Sequence, residues 1–134
     1  MTIEWTEDLA TGVERIDEQH RALFRHVATL REAMRANDLG KVPQVLDGLQ
    51  KYALEHFATE EREMIARHYP RLASHRVLHR QFVDDYLRQR ALLSANVTLS
   101  GVVGLSVWIS DWLREHVRKE DGDLATFIRG GGAT

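Results

Sequence analysis

Apolar positions recur at intervals of three and four along most of this chain, the spacing of amphipathic helices, and turn residues divide the pattern into four segments. Residues 1–16 carry Trp5, Leu9, Val13 and Ile16 around Gly12, too irregular for a helix and too apolar for a free tail, which predicts an arm packed on the rest. Asp17 reads as an N-cap for a first helix running to about Ala36, with His20, Leu23, Phe24, Val27, Leu30 and Met34 facing inward. Asn37-Asp38-Leu39-Gly40 is a turn, and Pro43 suits the first turn of a second helix. The second stripe is Val45, Leu46, Leu49, Tyr52, Ala53, His56, Phe57, Glu60 and Met64, ending near Arg67 because Pro70 disfavours helix before it. Pro70 opens a third helix with Leu72, His75, Leu78, His79, Phe82, Tyr86, Leu87 and Leu93 inside, closing at Ser94-Ala95-Asn96. Thr98 or Ser100 caps a fourth, whose stripe is Val102, Leu105, Trp108, Ile109, Trp112, Leu113 and His116. A short apolar stretch at Leu124, Phe127 and Ile128 precedes a glycine tail expected to fray.

Four helices joined by short turns predict an all-α, up-down-up-down four-helix bundle. The whole of 1–134 reads as one domain, with an N-terminal arm (1–16), the bundle (17–128) and a frayed tail (129–134).

Composition narrows the chemistry. The chain has no cysteine, so disulfides, thiolate metal sites and cysteine nucleophiles are excluded. Its formal charge of −2 comes from interleaved acidic and basic residues, which gives no electrostatic footprint for nucleic acid. Neither a basic, apolar leader nor a membrane-length run is present, and the expected location is cytoplasmic. Seven histidines are unusual in 134 residues.

Five of them, His20, His56, His75, His79 and His116, fall on inward stripes, so every helix contributes. In a helix, residues four apart lie about 40° apart around the axis, so His56 with Glu60 and His75 with His79 each present two donors on one face. A buried carboxylate such as Glu60 needs a cation, and no inward stripe offers several lysines or arginines. Its neighbours Glu61 and Glu63 point elsewhere and are expected in solvent, as are His26 and His68. Asp121 follows His116 by five residues, about 140° around a regular helix, so it joins the cluster only if the helix is loosened or the residue lies in a distorted turn. Seven donors exceed what one ion needs, which implies two. With two bridging carboxylates, five imidazoles divide three and two, leaving one ion a vacancy for a small diatomic ligand. Imidazole and carboxylate suit iron, zinc, copper, nickel or manganese alike. A site with few carboxylates disfavours high-valent metal and favours reversible binding.

The series His20, His56-x3-Glu60, His75-x3-His79 and His116-x4-Asp121 resembles the hemerythrin family, its bacterial single-domain members in particular. Trp5, Gly12-Val13, Ile16-Asp17-Glu18-Gln19-His20, His56-Phe57, Glu60-Glu61, Met64, Tyr69-Pro70, Phe82, Trp112-Leu113 and His116-Val117 extend the likeness over nearly the whole chain, with Gly122 after the aspartate as the clearest departure. The resemblance implies two non-haem iron ions with a solvent-derived oxygen bridge. His75, His79 and His116 would hold the first, His20 and His56 the second, and Glu60 and Asp121 would bridge them. It further implies an O2 pocket over the second iron from Leu23, Phe57, Trp112, Leu113 and Val117. The expected function is reversible dioxygen binding by a monomer that is not an enzyme, for storage, transport or delivery to an oxygen-consuming enzyme. The alternatives are a redox or O2 sensor, or an enzyme acting on peroxide, nitric oxide or ferrous iron.

Overall fold

A computed structural model describes residues 4–130. Five α-helices account for most of them: α1 (Glu14–Arg35), α2 (Val42–Ala66), α3 (Leu72–Ala95), α4 (Leu99–Glu115) and α5 (Gly122–Arg129), with a π-helical segment, His116–Asp121, between the last two. Helices α1 to α4 each pack on the next, and α4 returns to α1, which closes the four-helix bundle. Gly131 and the residues after it, where fraying was expected, lie outside the described residues.

The helix ends follow from local chemistry. Among the described residues, Asn37 (φ 54°) and His68 (φ 56°) are the non-glycine residues in the left-handed region. Each closes a helix in the same way: Asp38 N–H donates to Ala33 O and Asn37 N–H to Met34 O after α1, while Tyr69 N–H donates to Met64 O and His68 N–H to Ile65 O after α2. Pro70 disfavours helix at the residue before it, as expected, but α3 begins at Leu72 and not at Pro70 itself. At the start of α4, Thr98 supplies the cap by accepting from Gly101 N–H.

Two expectations are corrected. Asp17 does not cap α1, which begins three residues earlier at Glu14; its buried carboxylate instead accepts from Thr11 N–H (2.8 Å), Thr11 Oγ1 (2.7 Å) and Gly12 N–H (3.2 Å). That bond set ties down the arm, and Gly12, at φ +84° with the Arg129 side chain 2.8 Å from where a β-carbon would stand, is a position only glycine fills without strain. Leu87, placed on the inner face of α3 by periodicity, is 44% exposed.

The core forms two apolar clusters. The larger includes Leu23, Phe57, Phe82, Leu105 and Leu113, and the smaller is Met64, Tyr69 and Leu124. Along α2 the larger contains Phe57 and the smaller Met64; between them lies Glu60, fully buried. A polar layer thus lies between the two apolar clusters.

Candidate metal centre

Seven side chains fill that layer: His20 from α1, His56 and Glu60 from α2, His75 and His79 from α3, and His116 and Asp121 from the two ends of the π segment, all buried. The π segment answers the question of the five-residue spacing. An i→i+5 turn stacks Asp121 over His116 where an α-helix would carry it to another face.

The donor atoms form two groups that share their carboxylates. One is Glu60, His75, His79, His116 and Asp121, and the other is His20, His56, Glu60 and Asp121; within each, the donor atoms lie within 4.8 Å of one another. Asp121 turns one oxygen to each side: Oδ1 lies 3.2 Å from both His75 Nε2 and His116 Nε2, while Oδ2 lies 2.8 Å from His20 Nε2. Glu60 Oε1 lies 3.3 Å from His56 Nε2 and 3.2 Å from His79 Nε2. The Nε2 atoms of His79 and His116 are 3.2 Å apart. Donors about 2.1 Å from an ion and at right angles to one another are about 3 Å apart, so these separations match the edges of a coordination shell.

Hydrogen bonding does not account for the arrangement. Among the described residues, every buried side-chain polar atom without a hydrogen-bond partner belongs to this cluster, apart from the Trp5 indole nitrogen: both nitrogens of His20 and His75, His56 Nε2 and all four oxygens of Glu60 and Asp121. Atoms about 3 Å apart that fail as hydrogen bonds are aimed at common points between them, which is what cations require. The residues therefore fit a pair of metal ions.

Electrostatics of the metal-free cluster points the same way. Burial and the neighbouring Asp121 would raise the Glu60 carboxyl, yet His56 and His75 hold it far below the ordinary range. Burial likewise opposes ionisation of Asp121, and His116, His20 and His75 outweigh it. Burial works against charge on His75 as well, but Asp121 and Glu60 push it up to about 10. His56 rises for the same reason, against burial and through Glu60. The two carboxylates draw in positive charge, and without a metal protons supply it.

Outside the seven clustered side chains, two residues that helical periodicity left in solvent or unremarked hydrogen-bond to the cluster. Glu61 does not point into solvent: its Oε2 accepts from His79 Nδ1 at 2.9 Å and its Oε1 from Arg76 Nε at 3.2 Å. Gln19 Oε1 accepts from His56 Nδ1 at 2.7 Å. Both are sequence neighbours of a ligand, about 100° round the helix from it, and reach imidazoles of an adjacent helix, a pairing that spacing along one helix does not reveal. His26, tilted against Tyr52, and His68 stay outside the cluster.

Of the expected pocket residues, Phe57 stacks on His79 (centroids 4.0 Å apart) and Trp112 on His116 (4.4 Å), so both rings lie against the three-imidazole group. Leu23, Leu113 and Val117 are buried in the apolar core.

Comparison with known proteins agrees with this chemistry. The profile of the hemerythrin HHE cation binding domain matches residues 11–128. A bacteriohemerythrin of Stenotrophomonas maltophilia is 32% identical over 125 residues, covering 93% of this chain and 80% of that protein. A bacteriohemerythrin of Methylococcus capsulatus is 28% identical over 87% of this chain and 89% of its own. A myohemerythrin of Theromyzon tessulatum is 27% identical over 88% and 87%. The chain belongs to the hemerythrin family.

Proposed function

We propose that this protein binds dioxygen reversibly at a non-haem di-iron centre, for storage, transport or delivery of oxygen. His75, His79 and His116 would hold one ion, His20 and His56 the other, with Glu60 and Asp121 shared between them. The observation that carries this reading is the sharing of two buried, unpartnered carboxylates between a group of three imidazoles and a group of two. Unequal groups would leave one ion with fewer protein donors and room for a diatomic ligand, and iron there would supply the reversible electron exchange such a ligand needs.

The rest is done by the chain. Glu60 and Asp121 provide the anionic charge, the imidazoles remain neutral donors, and the apolar residues exclude water. Leu23, one turn beyond His20 on α1, is the lining residue on the two-imidazole side, with Leu113, Val117, Phe57 and Trp112 completing the apolar surround. None of these side chains is an acid or base poised to turn a bound molecule over, which favours a carrier above an enzyme.

Admitting water should shorten the life of the oxygen-binding form. Leu23→Ser, and Trp112→Ala on the other side, are expected to bind iron and to autoxidise several-fold faster than the parent, read from loss of the oxygen-dependent absorbance. Leu23→Ser also removes buried volume at a cost of about 2–5 kcal/mol, so iron content is measured first. Unchanged autoxidation in both variants contradicts the lining. Sustained consumption of peroxide, nitric oxide or ferrous iron by the parent protein would replace the carrier reading with an enzyme.

A further inference from the structure

Two imidazoles of the cluster hand their outer N–H to a protein acceptor, and the acceptors differ in charge. His79, in the three-imidazole group, donates from Nδ1 to the Glu61 carboxylate, which also accepts from Arg76 Nε. His56, in the two-imidazole group, donates from Nδ1 to the neutral amide oxygen of Gln19. The amide is held in that orientation because Gln19 Nε2 donates to Thr59 Oγ1 at 3.2 Å, and the Thr59 hydroxyl is itself committed to Glu55 O at 3.0 Å. An imidazole that donates to a carboxylate gains anionic character and becomes a stronger donor through its other nitrogen; donation to an amide does this less.

We propose that Glu61 is a positioning residue that acts through His79 to make the three-imidazole ion the more electron-rich of the pair, with Gln19 leaving the two-imidazole ion less so. The inference rests on the di-iron reading above. Arg76 tempers the effect, because its guanidinium draws charge from the carboxylate that faces His79. Glu61 and Arg76 line a surface groove that also takes in Phe57 and His79, and replacing either by glutamine keeps a polar side chain of similar length there.

The signs of the effects separate this role from simple support. Glu61→Gln and Arg76→Gln break the same ion pair, so a merely structural role moves any property in one direction for both. The proposal requires opposite directions. In a spectroelectrochemical titration of the iron-loaded full chain, Glu61→Gln raises the midpoint of one one-electron step and weakens retention of that ion by about 10- to 100-fold. Arg76→Gln lowers the midpoint of the same step. Gln19→Glu lowers the other.

Iron is counted before the titration. A parent chain that retains none overturns the di-iron reading itself, whereas two irons per chain with midpoints that stay put, or that move together in Glu61→Gln and Arg76→Gln, overturn the role of Glu61 alone. In the metal-free parent, nitrogen NMR should find His79 protonated at Nδ1, and a bare Nδ1 there overturns the proposal as well.

Discussion

Glu60 and Asp121 each stand between imidazoles of both groups, so a change at either should be felt by both ions, unlike a change at one histidine. Glu60→Ala is expected to abolish binding of about two irons per chain, and His56→Ala to leave about one; elemental analysis after anaerobic loading distinguishes them. Equal losses in the two variants contradict shared bridging. Protons compete for the same atoms. Protonated His75, pushed up to about 10 from 6.5, stabilises the metal-free fold fully below pH 6.5, and that contribution is lost as pH rises through about 10. Ionised Glu60 and Asp121, held below their ordinary 4.5 and 3.8, contribute above those values and lose the contribution on acidification. Denaturant titrations of the metal-free chain should therefore give greatest stability from about pH 5 to about 6.5, falling on both sides. Metal needs the His75 lone pair, so loading near neutrality should release protons and tighten as pH rises, and loading without proton release contradicts this. The gathering of His56 with Glu60 and of His75 with His79 was legible because residues four apart share a helix face. Glu61 and Gln19 were not, because each acts across a helix–helix gap.

The elements end where backbone chemistry ends them, and the sequence shows only part of that chemistry. Pro70 and the Asn37 turn were legible; the left-handed conformation of His68 was not, since histidine adopts that region far less often than glycine and its place before Tyr69-Pro70 does not single it out. A β-carbon in the left-handed region is strained, so His68→Gly should stabilise the fold by about 1 kcal/mol, the relief exceeding the entropy glycine adds to the unfolded chain. Iron content should be unchanged, in keeping with the place of His68 outside the cluster. Asp17→Ala has the opposite effect. It strands the Thr11 and Gly12 donors at an expected cost of about 1–3 kcal/mol, and it frees the arm for limited proteolysis. Equal denaturation midpoints for the parent and the alanine variant would contradict the anchoring role. Asp17 was misread because an acidic residue before an apolar run looks like a cap; its bonds run backward to the arm. The five-residue step from His116 to Asp121 clashed with a 3.6-residue period, and the π segment absorbs the clash.

On the scale of the molecule, the four-helix bundle sets the polar layer between two apolar clusters. That enclosure strengthens every charge interaction inside it and leaves Glu60 and Asp121 with no solvent to satisfy them. No helix among the described residues is long and apolar enough to cross a membrane. The four-segment pattern made the bundle legible, whereas the division of the interior into two clusters was not, because it depends on which stripes meet across the bundle. Reversible oxygen binding is tested by a visible spectrum of anaerobically iron-loaded protein, with iron counted, taken before O2 is added, after it is added and after purging with argon. About two irons per chain are expected, with a charge-transfer band that appears with O2 and bleaches on purging. Immediate oxidation that purging does not reverse would contradict reversible binding.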